Sequence, residues 1–171
     1  KEKCLDDLIN ISRFLASKLN LGSTIFFCGN GGSASDSQHL TSELIGQFKI
    51  KRKPLKAISL NSDSSVLTCV SNDFSYEEIF SRQLEGLANE KDILITISTS
   101  GESKNIINAL IKARELKMTS IAFLGKGGGR AKNYCDKSII IPSNSTARIQ
   151  EMHILLGHIM CEIIEDELGL N

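Results

Sequence analysis

Between residues 4 and 20, Leu5, Leu8, Ile11, Leu15 and Leu19 recur at helical spacing with polar residues between them, which predicts an amphipathic helix. Gly22 follows it, a residue favoured just past a helix C-terminus. The pattern then becomes an unbroken apolar run over 24–28, the mark of a buried strand. Similar runs over 55–60, 92–98, 119–124 and 137–141 predict four more strands, the run over 92–98 rich in β-branched residues and central. Helical patterns lie between: 33 to about 46, short helices over 66–70 and 79–87, then 103–116 with Ile106, Ile107, Leu110 and Ile111 inward. A last helix of about twenty residues starts at a Thr146 cap. Strands alternating with helices predict a parallel, helix-covered α/β sheet. No repeat, low-complexity tract or linker divides residues 1–171, so a single domain is expected.

Composition narrows the function classes. Twenty basic and twenty acidic side chains cancel, and Trp is absent, so neither nucleic acid nor a membrane surface is expected as a partner. The five cysteines are scattered without a C-x-x-C pair, which predicts buried, reduced thiols and a cytoplasmic location. No apolar run approaches the ~20 residues of a membrane span.

The chemistry concentrates after the first strand, at Gly29-Asn30-Gly31-Gly32-Ser33. Glycines there allow positive φ and close backbone approach, and Ser33 is expected to cap the helix that follows. Strand, glycine turn and helix N-terminus form an anion cradle. Gly29-x-Gly31-x-x-Ala34 also fits the dinucleotide fingerprint, but Ser59-Leu60-Asn61 stands where that motif wants an acidic residue. A second cradle follows the third strand, Ser98-Thr99-Ser100-Gly101-Glu102-Ser103, rich in hydroxyl donors. Neither cradle carries a lysine, so hydroxyls, amides and helix dipoles would hold the anion. The run over 125–129 predicts a flexible turn.

His39 and Glu43 are four apart, on one helix face close to the first cradle. The last helix carries Gln150, His153 and His158 among Ile149, Leu155, Ile159, Ile163 and Ile164. On so apolar a helix, His153 reads as a packed residue.

Five blocks in register resemble the phosphoheptose isomerases, a group of sugar isomerase (SIS) domain proteins. They are Gly29–Ser33, the His39…Glu43 pair, Ser71-Asn72-Asp73-Phe74, Ser98–Ser103 and Ala147-Arg148-Ile149-Gln150-Glu151-x-His153. The resemblance implies a three-layer α/β sandwich with a five-stranded parallel, flavodoxin-like sheet and a long C-terminal helix. It implies conversion of sedoheptulose 7-phosphate to D-glycero-D-manno-heptose 7-phosphate through a cis-enediol, feeding ADP-heptose for surface polysaccharide. It places substrate contacts on Asn30, Gly31, Gly32, Ser33, His39, Glu43, Asn72, Asp73, Ser98, Thr99, Ser100, Ser103 and Gln150. Its metal ligands, usually for one zinc per subunit, fall on His39, Glu43, Gln150 and His158, and its acid/base pair on Glu43 and His158. No nucleotide cofactor is implied, and the assembly expected is a homotetramer with shared sites.

Gln150 and His158 are eight residues apart, about 12 Å along a helix and some 80° around it. One helix therefore cannot bring both to one ion directly, and the complete site is expected to draw on more than one subunit. The chain begins inside its first helix where relatives carry a longer N-terminus, and Ala147 stands where some have aspartate. Two other readings share these motifs: a non-catalytic SIS protein of the replication initiator-associating type, and an isomerase of another sugar phosphate. Such binding proteins lack one or both of the acid/base pair, and both Glu43 and His158 are present here.

Overall fold

A computed structural model describes residues 2–170. Five parallel strands, β1 (Ile25–Gly29), β2 (Ala57–Ser59), β3 (Ile93–Ser98), β4 (Thr119–Leu124) and β5 (Lys137–Ile140), form one sheet in the order β2-β1-β3-β4-β5. Strand alternation splits the core in two. Ile25 and Phe27 of β1, Ile93, Ile95 and Ile97 of β3, and Ile121 and Phe123 of β4 face α1 (Glu2–Asn20), α2 (Gly32–Ile45) and α6 (Thr146–Glu167). Phe26, Cys28, Leu94, Ala122 and Leu124 face the other way, towards α3 (Ser64–Asp73), α4 (Ser81–Leu87) and α5 (Lys104–Glu115). The result is the three-layer, doubly wound sandwich expected.

The order 2-1-3-4-5 fixes where a ligand can sit. The chain leaves β1 towards β2 and leaves β3 towards β4, in opposite directions, so a crevice opens at the carboxyl ends of β1 and β3. These strands are direct neighbours, with Gly29 opposite Ile97. Both cradles therefore open into the same crevice.

Several boundaries differ from the pattern. Asn72 and Asp73 lie inside α3, which runs on to Asp73 and starts at Ser64, where Asp63 caps it by accepting from the N–H of Ser65 (2.9 Å) and Val66 (3.0 Å). The predicted helix over 79–87 is shorter, beginning at Ser81 after a 3-10 turn over Tyr76–Glu78. The run over 125–129 is packed rather than loose, since Gly128 is buried and the turn lies against Gly101. Of the five cysteines, only Cys28 and Cys161 are fully buried; Cys69 is exposed at the surface of α3. Burial pushes the Cys161 thiol up to about 12, which leaves it protonated and inert. No helix among the described residues is long and apolar enough to cross a membrane.

Candidate active site

The first cradle begins where β1 ends. Gly31 takes φ +58°, a conformation that favours glycine, and is the N-cap of α2. Ser33 is not the cap: α2 starts one residue earlier, at Gly32, with no side-chain cap bond, and Ser33 is buried inside the first turn. Ser33 and Ala34 donate their N–H groups back to the carbonyls of Asn30 (3.1 Å) and Gly31 (3.0 Å), so the first-turn amide left for a ligand is that of Gly32. Asn61 holds the turn from β2's side: its amide accepts from the N–H of Gly29 (3.1 Å) and donates to the carbonyl of Gly29 (2.9 Å). The residue that argued against a dinucleotide site is a structural brace for the anion turn.

The second cradle closes on itself. Ser98 Oγ accepts from the N–H of Gly101 (3.0 Å), and Ser100 Oγ accepts from the N–H of Glu102 (3.2 Å). Both hydroxyl hydrogens remain free to donate. Gly101, at φ +67°, lies against the backbone of Gly128, and its carbonyl accepts from Ala131 N (2.9 Å). Arg130 donates to Glu102 through its backbone N–H (2.9 Å) and Nε (2.7 Å), bonds that hold the Glu102 carboxyl below its ordinary range. Thr99, Ser100 and Ser103 are half-buried around this turn.

The two helices beside the crevice bring the titratable groups together. α2 and α6 pack in parallel register: Gln150 lies against Gly32, Gly157 against Leu40, and His158 against His39. Gly157 lets the helices close here, since a Cβ added there would push the buried Leu40 side chain aside. His39 Nε2 sits 2.8 Å from His158 Nε2 and 3.3 Å from Glu43 Oε1. One donor atom from each of the three residues lies within 4.8 Å of the others. Phe48 stacks on His158, with ring centroids 5.6 Å apart at 26°.

A buried clamp supports this face. Arg52 Nε donates to Glu165 Oε1 (2.6 Å), and both side chains are 2% exposed. Glu165 also accepts from the N–H of Phe48 (3.2 Å) and Lys49 (3.1 Å), while Arg52 donates to the carbonyls of Glu43 and Leu44 (2.8 Å each). The pair thus ends α2 and seats Phe48 on His158. One turn before His39, burial raises the Asp36 carboxyl, opposed by the nearby imidazoles of His39 and His158. His153 is buried, as read from the sequence, with Nε2 donating to the carbonyl of Leu124 (3.1 Å), and burial lowers its pKa.

The donor set suits a divalent transition metal. Tetrahedral zinc places adjacent ligand atoms about 3.3 Å apart, so the His39–Glu43 spacing fits and the two imidazoles would part by about half an ångström. Gln150 does not join the three in this chain. It stands beside Gly32, seven residues and about 10 Å up α2 from His39. Asn72 and Asp73 are exposed, bonded to each other (2.8 Å) and not to either cradle. Sequence reasoning missed Phe48, Arg52, Asn61 and Glu165, whose partners lie far along the chain; only Asp36, a helical turn from His39, carried a local signal.

A doubly wound sheet with two anion turns at its switch point and a histidine–carboxylate cluster beside them defines an α/β sugar-phosphate enzyme class. The SIS domain family model matches residues 1–125. The phosphoheptose isomerase of Clostridium acetobutylicum is 49% identical over 98% of this chain and 89% of that protein. Phosphoheptose isomerase 1 of Campylobacter jejuni is 49% identical over 93% of this chain and 86% of its own length. A solved phosphoheptose isomerase from Francisella tularensis superposes with TM-score 0.91 at 38% identity, covering 94% of this chain and 86% of that one. The chain belongs to the SIS domain family, among its phosphoheptose isomerases.

Proposed function

We propose that this protein is an aldose–ketose isomerase converting sedoheptulose 7-phosphate to D-glycero-D-manno-heptose 7-phosphate, the entry to ADP-heptose for surface polysaccharide. One observation carries the reading: Glu43 and His158 meet, with His39, beside two lysine-free anion cradles that open into one crevice. In this reading the phosphate lies in the second cradle, on Ser98, Thr99, Ser100 and Ser103. Asn30, Gly31 and Gly32 take the sugar, with Gln150 at the N-terminus of α2, while the buried Ser33 backs the turn from within. Asn72 and Asp73 complete the binding set from α3.

The chemistry needs a base that moves a proton between C1 and C2, and a group that moves one between the two oxygens. Glu43 is the carbon base, one turn beyond His39 on the same face of α2. His158 serves the oxygens and opens the ring, its imidazole oriented by Phe48 and His39. A zinc ion held by His39, Glu43 and His158 would supply Lewis-acid polarisation of the carbonyl. The reading includes a cytoplasmic homotetramer with sites shared between subunits. Exposed Leu5, Met152 and Leu155 on α1 and α6 support assembly, and the displacement of Gln150 from the trio supports sharing.

The test is incubation with sedoheptulose 7-phosphate, followed by NMR, with and without chelator. Wild type should form the aldose. Glu43→Gln should lose about 10²–10⁴-fold in kcat while keeping sugar-phosphate binding. A folded wild type without product, or an active Glu43→Gln, refutes the assignment.

A further inference from the structure

The first cradle, the second cradle and the turn after α3 are joined by three side chains that no part of the proton chemistry uses. Asn105, 2% exposed in the first turn of α5, accepts from the backbone N–H of Ile106 through Oδ1 (2.9 Å). That buried backbone donor fixes which way the Asn105 amide faces. Asn105 then makes a reciprocal pair with Asn30: Asn30 Nδ2 donates to Asn105 Oδ1 (2.9 Å), and Asn105 Nδ2 donates to Asn30 Oδ1 (2.8 Å). The hydroxyl of Tyr76 reaches the same Asn30 Oδ1 at 2.9 Å. Facing an acceptor, it must be the donor.

Counting bonds settles what Asn30 has left. A primary amide oxygen has two lone pairs, and both on Asn30 are taken, by Asn105 and Tyr76. Of its two N–H groups one is used on Asn105. Asn30 therefore offers a ligand one N–H and no acceptor. Such a group selects a ligand oxygen with a free lone pair and gives nothing to a donor that cannot also accept. The Tyr76 turn is itself docked on α5, because Asn108 donates to the Glu77 carbonyl (3.2 Å) and to Glu78 Oε1 (3.1 Å). The orientation that begins at one backbone amide of α5 is thus passed through two side-chain amides to a phenol.

We propose that Tyr76 and Asn105 are positioning residues that hold Asn30 as a donor-only group toward the bound sugar and tie the first cradle to the second and to the segment carrying Asn72 and Asp73. The proposal rests on the reading that Asn30 belongs to the sugar-phosphate site. Tyr76, 58% exposed, lies over no core, so a loss confined to packing there would be small.

The deciding variant is Tyr76→Phe, which removes one oxygen and frees a lone pair on Asn30. Its KM for sedoheptulose 7-phosphate should rise about three- to tenfold, the ordinary effect of one orienting hydrogen bond. kcat should stay within about twofold and the melting temperature should hold. Asn105→Ala should raise KM further, and adding Tyr76→Phe to it should change little, because the phenol acts only through an Asn30 already held. An unchanged KM in Tyr76→Phe, or factors that multiply in the double variant, would overturn the proposal. If Asn105→Ala does not fold, Tyr76→Phe alone decides. The ligand-free protein supplies a separate readout: the two side-chain amide protons of Asn30, followed by NMR, should exchange slowly and unequally, and Tyr76→Phe should shift them. Wild type that binds no sugar phosphate would refute the functional reading instead, and the amide signals would then decide the network; rapid, equal exchange would sink it.

Discussion

Removing the Arg52 guanidinium tests how α2 and α6 are held in register. Arg52→Met keeps the length of the stem but strands the Glu165 carboxylate, which is 2% exposed and left with only two backbone N–H donors. Breaking a buried pair from one side typically costs about 3–5 kcal/mol. Two further bonds disappear, to the carbonyls of Glu43 and Leu44 at the end of α2, at about 0.5–1.5 kcal/mol each. The sum, about 4–8 kcal/mol, approaches the whole stability of an ordinary domain. At about 2–4 °C per kcal/mol for a chain of this size, the melting temperature should fall roughly 10–30 °C. Arg52→Met/Glu165→Met should recover about half of that, since no charge is stranded but two N–H groups still lose their acceptor. Urea and thermal unfolding of the three proteins measure both numbers. A single-variant loss under ~1.5 kcal/mol, or a double variant no better than the single, would refute the claim that this pair is the clamp.

Gly101→Ala should damage the second cradle badly. Its φ is +67° and an added Cβ would run into the Gly128 carbonyl, which is backbone and cannot turn aside; phosphate affinity and melting temperature should fall together. Gly32→Ala meets only the end of the Gln150 side chain, so sugar-phosphate binding should weaken in calorimetry while stability changes by under ~1 kcal/mol. Burial lowers the folded-state pKa of His153 below its unfolded value, so the unfolded chain binds the extra proton first. Stability from this residue is full above the unfolded pKa of about 6.5 and is lost as pH falls through and below it; His153→Gln should flatten that slope in pH-dependent unfolding.

The alternation of strands and helices was legible locally. Unbroken apolar runs against a period of 3.6 separated strands from helices, and the 119–124 run coincides with β4. Two glycine–serine turns after strands stand out in the sequence as candidate anion cradles, because backbone freedom and helix N-termini are properties of neighbouring residues. Where a local rule had two acceptable answers, the sequence was less reliable: Ser33 and Thr146 looked like caps, yet each helix starts one residue before or at the residue chosen, and Ser145 holds the cap position of α6.

Sequence alone determined the strand–helix alternation, the two cradles and the His39/Glu43 face, all of which follow from spacings of a few residues. Tertiary structure decided that His158 meets that face, 119 positions away from His39, while Gln150 goes to the other end of α2. It also decided that Asn105 and Tyr76 share the amide of Asn30, and that Glu165 lies buried opposite Arg52. The reason is physical: hydrogen bonding along one element is set by its own period, whereas contacts between elements depend on strand order and helix packing. No single segment carries those.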